Sequence, residues 1–80
     1  MKKNNVIVII EEALGVLKGE LTMSASMENI EQWDSLGHLS ILSALDREFD
    51  GKIAAISNIA QADSVKKIMD ILIENKLIIR

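Results

Sequence analysis

Apolar side chains return every three or four positions in three separate stretches of this chain, and no proline interrupts any of them. The first stretch is Val6, Ile9, Ile10, Ala13, Leu14 and Leu17; the second is Ile41, Leu42, Leu45 and Phe49; the third is Val65, Ile68, Met69 and Leu72. At about 100° per residue, that spacing collects the apolar groups on one stripe of a helix. Each stripe needs a partner surface, and three stripes can cover one another. The expectation is an all-α fold: a small bundle of three main helices plus one short helix, with a long loop between helices 1 and 2.

Punctuation residues set the expected boundaries. The first helix is read from about Asn5 to Lys18, with Asn4 or Asn5 as its cap and Lys18-Gly19 as its stop. Gly15 then lies in the helix interior, at a cost of about 1 kcal/mol relative to alanine. The connection from Glu20 to Asp34 is polar, and Leu21, Met27 and Ile30 are expected to pin it to the core. Connections of that length without structure of their own are uncommon in small domains and tend to serve function. The second helix is read from Ser35 to near Asp50, stopped by Gly51. A short helical turn is placed at Ser57–Ala60, with Ile53, Ile56 and Ile59 facing inward. The last helix is read from about Ser64 to Asn75, capped by Asp63 or Ser64, and Leu77-Ile78-Ile79 folds back on the body. Trp33 is expected as a lid on the core edge, Met23, Met27 and Met69 as gap-fillers, and Lys66-Lys67 as a solvated face.

Eighty residues make one domain, spanning 1–80. Such a chain buries roughly 60–65% of its unfolded surface, which leaves no room for an enclosed active site. There is no cysteine, so a disulfide framework, a thiolate zinc site and a cysteine nucleophile are all excluded. His38 is the only histidine and cannot assemble a histidine metal site alone. The net charge of −3 disfavours nucleic acid. Between residues 28 and 50, Glu28, Glu31, Asp34, Asp46, Glu48 and Asp50 face a single cation, Arg47, and this half would steer a basic partner. Val6–Ile10 is too short for a signal core or a membrane span. No membrane span, a monomer and a cytoplasmic location are expected.

Ser35 is the residue that could carry chemistry. It follows the long polar loop and opens the second helix, beside Leu36, which the apolar stripe of that helix does not use. Gly37 leaves room for another molecule to approach, and His38 stands where a capping box would need glutamate or glutamine. The free N–H groups and positive dipole of a helix start would stabilise a phosphodiester there. Asp63-Ser64-Val65 shows that the same local pattern also makes an ordinary cap. A hydrolase or transferase would need a nucleophile, a base and an oxyanion site, and only Ser35 is a candidate for any of them, so an enzyme is not expected.

The run Trp33-Asp34-Ser35-Leu36-Gly37-His38-Leu39-Ser40-Ile41-Leu42, followed by Ala44-Leu45, Glu48-Phe49 and Asp50, resembles the Asp-Ser-Leu motif and second helix of the acyl carrier proteins, discrete type. The similarity extends through Leu21-Thr22, Ala25-Ser26-Met27, Lys52-Ile53 and Asp63-Ser64-Val65, and so covers about Val6 to Leu72. The resemblance implies that Ser35 carries 4′-phosphopantetheine, transferred from coenzyme A by a phosphopantetheinyl transferase, with an acyl group held on the arm as a thioester. It implies that Leu36 and Leu39 make apolar contacts, and Asp34, Asp46 and Glu48 acidic contacts, with acyl-loading and acyl-transferring enzymes. Ser40, Ser43 and Arg47 depart from the acidic, apolar second helix of the fatty-acid carriers, which points toward a specialised lipid, polyketide or saccharide-modifying pathway. The Trp-Asp-Ser-Leu start also resembles aminoacyl carriers of the D-alanyl type. A helical interaction module without the arm is the reading from a different class.

Overall fold

The computed structural model describes residues 3–78. It is small and mostly helical: α1 (Lys3–Leu14), α2 (Ser35–Glu48), a first 3₁₀ turn (Ile53–Ala55), a second 3₁₀ turn (Ile59–Gln61) and α3 (Val65–Glu74). Among the described residues there is no β-strand, and no helix is long and apolar enough to cross a membrane.

The three stripes meet as their spacing requires. Val6, Ile10 and Leu14 of α1 pack with Ile41, Leu45 and Phe49 of α2 and with Val65, Ile68, Met69 and Leu72 of α3. Leu21, Ala25, Trp33, Ile53, Ile59, Ala62 and Ile78 close the core from the connections. Leu77 is half-buried and Ile78 buried, so the tail does fold back as far as it is described; Ile79 lies outside the described residues.

Helix α1 ends four residues before its expected boundary, while α2 and α3 end within one or two residues of theirs. Helix α1 stops at Leu14, not Lys18, because Gly15 adopts φ 73° and is the terminator rather than an interior residue. Its N–H bonds to the Glu12 carbonyl, and the Val16 N–H to the Glu11 carbonyl, the paired bonds that close a helix around a left-handed residue. Leu17 therefore leaves the stripe and is exposed. Asn4 and Asn5 lie inside α1, which begins at Lys3, so neither caps it. Helix α2 ends with Asp50 at φ 54° and Gly51 at φ 81°, the Gly51 N–H returning to the Asp46 carbonyl. Helix α3 ends with Lys76 at φ 61°, its N–H on the Ile73 carbonyl and the Leu77 N–H on the Leu72 carbonyl.

The long connection is held by three sets of contacts. The buried Glu11 carboxylate accepts the N–H groups of Gly19 (2.8 Å) and Leu21 (3.1 Å). An isolated antiparallel bridge pairs Ser26 with Ser64, through Met27 N–H to the Asp63 carbonyl and Val65 N–H to the Ala25 carbonyl. The third set is the Trp33 anchor. Of the residues expected to pin the loop, Leu21 is buried and Ile30 half-buried, but Met27 is exposed and Ala25 faces inward instead. Met23 is exposed as well, and only Met69 fills a gap in the core. The single short helix expected at Ser57–Ala60 is replaced by two 3₁₀ turns, with Ile53 and Ile59 buried and Ile56 half-buried.

Candidate functional site

Helix α2 begins with a capping interaction that does not involve Ser35. Asp34 is the cap: its backbone is extended and its Oδ1 accepts the Gly37 N–H at 2.8 Å. Ser35 is the first helical residue, exposed, and among the described residues its hydroxyl has no hydrogen-bond partner. The N–H groups of Ser35 and Leu36 likewise have no acceptor among the described residues, as the geometry of a helix start dictates. A carboxylate cap thus leaves the neighbouring hydroxyl open beside two unpaired donors. At Ser64 the arrangement is reversed. There the serine is itself the cap, and its Oγ accepts the Lys67 N–H at 3.1 Å. The two Asp-Ser pairs of the sequence differ in register by one residue, and that shift decides which hydroxyl is free.

Gly37 does not leave space for an approaching molecule, as its position in the sequence suggested. A β-carbon there would lie 2.3 Å from the Gln32 carbonyl oxygen and 2.9 Å from a Leu14 methyl. The glycine admits the chain's own loop, pressing Gln32 and the residues before Ser35 against the first turn of α2.

Trp33 is buried, not a lid. Its indole N–H donates to His38 Nδ1 at 3.1 Å, and His38 Nε2–H donates to the Ala60 carbonyl at 2.9 Å. The two rings lie nearly parallel, with centroids 6.3 Å apart and planes 19° apart. Tryptophan can be fully buried when its N–H has an acceptor. Both His38 bonds are satisfied by a ring that carries its proton on Nε2 and leaves Nδ1 bare.

The four other residues expected at a partner surface take different places. Leu36 and Leu39 are exposed, at 75% and 59%. With Ile9, Ala13, Arg47 and Glu48 they line an open groove of about 920 Å³ between α1 and α2. Asp46 is half-buried, and its Oδ1 accepts the Ala54 N–H at 3.0 Å, fastening the first 3₁₀ turn to α2. Asp46 therefore lies apart from the groove, on a smaller cleft of about 390 Å³ walled by Leu42, Ile53, Ile56, Ile59 and Ala60.

Sequence reasoning missed Glu11. Its signal is a carboxylate between Ile10 and Leu14 on the buried stripe, where a charge needs donors. Those donors come from residues eight and ten positions away and could not be named from the pattern. Lys66 and Lys67 form exposed ion pairs with Asp70 and Asp63, both at 2.9 Å. The Lys67 ammonium, by hydrogen bond first and by its charge second, holds the Asp63 carboxyl below the usual carboxylate value.

Compared with protein-family models, with curated proteins and with solved structures, the chain has no match in any of the three.

Proposed function

We propose that this chain is a carrier of the acyl-carrier type, not itself an enzyme, with Ser35 as the attachment point for 4′-phosphopantetheine. The observation that carries the proposal is the open Ser35 hydroxyl: exposed, free of any partner among the described residues, and standing on the first turn of α2 because Asp34 has taken the cap. The residues suit a phosphodiester, since two unpaired N–H groups and the positive end of the α2 dipole lie at the same place. The arm, when attached, supplies the thiol that the cysteine-free chain lacks.

The protein's own part is presentation. The Gly37–Gln32 contact and the buried Trp33 hold the loop on the near side of Ser35, while exposed Leu36 and Leu39 flank it with apolar surface for a transferase or an acyl-handling enzyme. Asp34 supplies negative charge beside Ser35, while Glu48 stands with Arg47 in the groove at the far end of α2, and Arg47 distinguishes the chain's partners from those of a uniformly acidic helix. A cytosolic, monomeric protein working in a specialised acyl pathway fits these features.

The test is the intact mass of the purified protein after incubation with coenzyme A, magnesium and a broad-specificity phosphopantetheinyl transferase, with Ser35→Ala in parallel. The expected result is a gain of one phosphopantetheine unit that the variant does not show. No gain by folded protein overturns the carrier reading and leaves a helical interaction module in its place.

A further inference from the structure

His38 makes two bonds that point in different directions. One ring nitrogen accepts from Trp33, two residues before Ser35; the other donates to the carbonyl of Ala60, which walls the small cleft beside α2. The ring is buried, and both of its nitrogens are satisfied by these two bonds. Both bonds require the same ring orientation and the same protonation pattern: a bare Nδ1 and a proton on Nε2. Ala60 itself is exposed and belongs to a 3₁₀ turn of three residues, an element with little internal hydrogen bonding. Ala60 thus stands exposed on a short turn anchored through Ile59 and Ala62, whereas Trp33 is fully buried.

We propose that His38 is a positioning residue that couples the cleft wall at Ala60 to the loop carrying Ser35: displacement of the wall pulls the imidazole out of line and weakens the Trp33 bond. An apolar guest in the cleft would then be felt at the start of α2, which gives a partner enzyme a way to distinguish an occupied carrier from an empty one. This consequence rests on the Ser35 reading; the coupling itself does not.

The test uses the full, unmodified chain and therefore remains valid whether or not Ser35 accepts an arm. Trp33 is the only tryptophan and His38 the only histidine, so each gives one resolved nuclear magnetic resonance signal. The imidazole nitrogen spectrum should show a bare Nδ1 and a protonated Nε2; the opposite tautomer overturns the proposal. The coupling is read by a double-mutant cycle. Ala60→Gly loosens the backbone that bears the carbonyl. His38→Asn places an amide oxygen near the position of Nδ1, keeping the Trp33 acceptor, but is too short to reach Ala60. In the natural background Ala60→Gly should accelerate exchange of the Trp33 indole proton by about threefold or more, the scale of coupling between residues in one network. In the His38→Asn background the same change should leave the indole proton within about 1.5-fold of its starting rate. His38→Gln, which reaches Ala60 but gives up Trp33, serves if the asparagine variant does not fold, and should abolish the coupling equally. Equal acceleration in both backgrounds, or none in the natural one, overturns the proposal.

Discussion

At position 37 the backbone of one element touches the backbone of another, and only the missing side chain permits it. Gly37→Ala would push a methyl group into the Gln32 carbonyl, which cannot swing aside as a side-chain tip could. The expected cost is about 1–3 kcal/mol, the range for overpacking a close contact, and thermal denaturation of the variant measures it. Next to it, the division of labour between Asp34 and Ser35 makes a paired prediction. Asp34→Ala removes the cap of α2 and should lower stability by about 1 kcal/mol. Ser35→Ala should leave the denaturation midpoint nearly unchanged, because the hydroxyl bonds to nothing among the described residues. Equal losses in the two variants would mean that Ser35 shares the capping. Asp63 carries a pH dependence. Its carboxyl titrates below the ordinary value of 3.8 in the folded chain, chiefly through Lys67. A group depressed in this way adds stability above its unfolded pKa and loses it as the pH falls through the folded one. Asp63→Asn should therefore lower stability slightly at pH 7, where the contribution is fully present, and flatten the acid limb, so that the two proteins converge below about pH 4. The pair is exposed and screened, so the effect is small; acid denaturation of the two proteins side by side reads it.

The same closing motif at all three helix ends is the clearest feature at the scale of elements. Each has a residue in the left-handed region followed by an N–H that reaches back five residues. Glycine fills the left-handed place only in α1; Asp50 and Lys76 fill it in α2 and α3. Aspartate tolerates that conformation and lysine does so at a cost. Lys76→Gly should therefore stabilise the protein, by up to about 1 kcal/mol, since Lys76 is exposed and makes no side-chain bond among the described residues. A rise in denaturation midpoint checks it, and a fall would show that backbone entropy outweighs the relieved strain. The pattern explains why local punctuation misplaces the end of α1. Lys18-Gly19 offers a cation and a glycine in the usual stop pattern, yet Gly15 closes the helix four residues earlier, and a left-handed lysine leaves no mark in composition. The short 3₁₀ turns were blurred for a related reason. Ile53, Ile56 and Ile59 are spaced by three, which fits one turn of either helix type, and the choice depends on Asp46 fastening Ala54.

For the molecule as a whole, the folded dimensions follow from chain length and the absence of long unpacked segments. The Cα radius of gyration is 11.2 Å, close to the roughly 11.6 Å expected of a compact domain of this length. Small-angle scattering of the monomer should give a compact particle of that class, slightly larger once hydration is included. A value near that of a dimer would show that exposed Leu36 and Leu39 are covered by a second copy. The periodic stripes by themselves determined the three helices, the facing of Ile41, Leu45, Phe49, Val65, Ile68 and Leu72, and the exposure of Leu36, because an amphipathic helix has only one way to bury its apolar side. Local sequence also marked Ser35 at the start of α2. It could not say that the Ser35 hydroxyl is left free, since that depends on Asp34 reaching Gly37, nor that Gly37 serves the chain's own loop. It could not foresee Glu11 holding Gly19 and Leu21, the Ser26–Ser64 bridge, or His38 between Trp33 and Ala60. Only the tertiary structure decided these contacts, most of which join residues that no helical period brings together. A polar group buried without a local partner specifies that it needs one, and the packed fold chooses which.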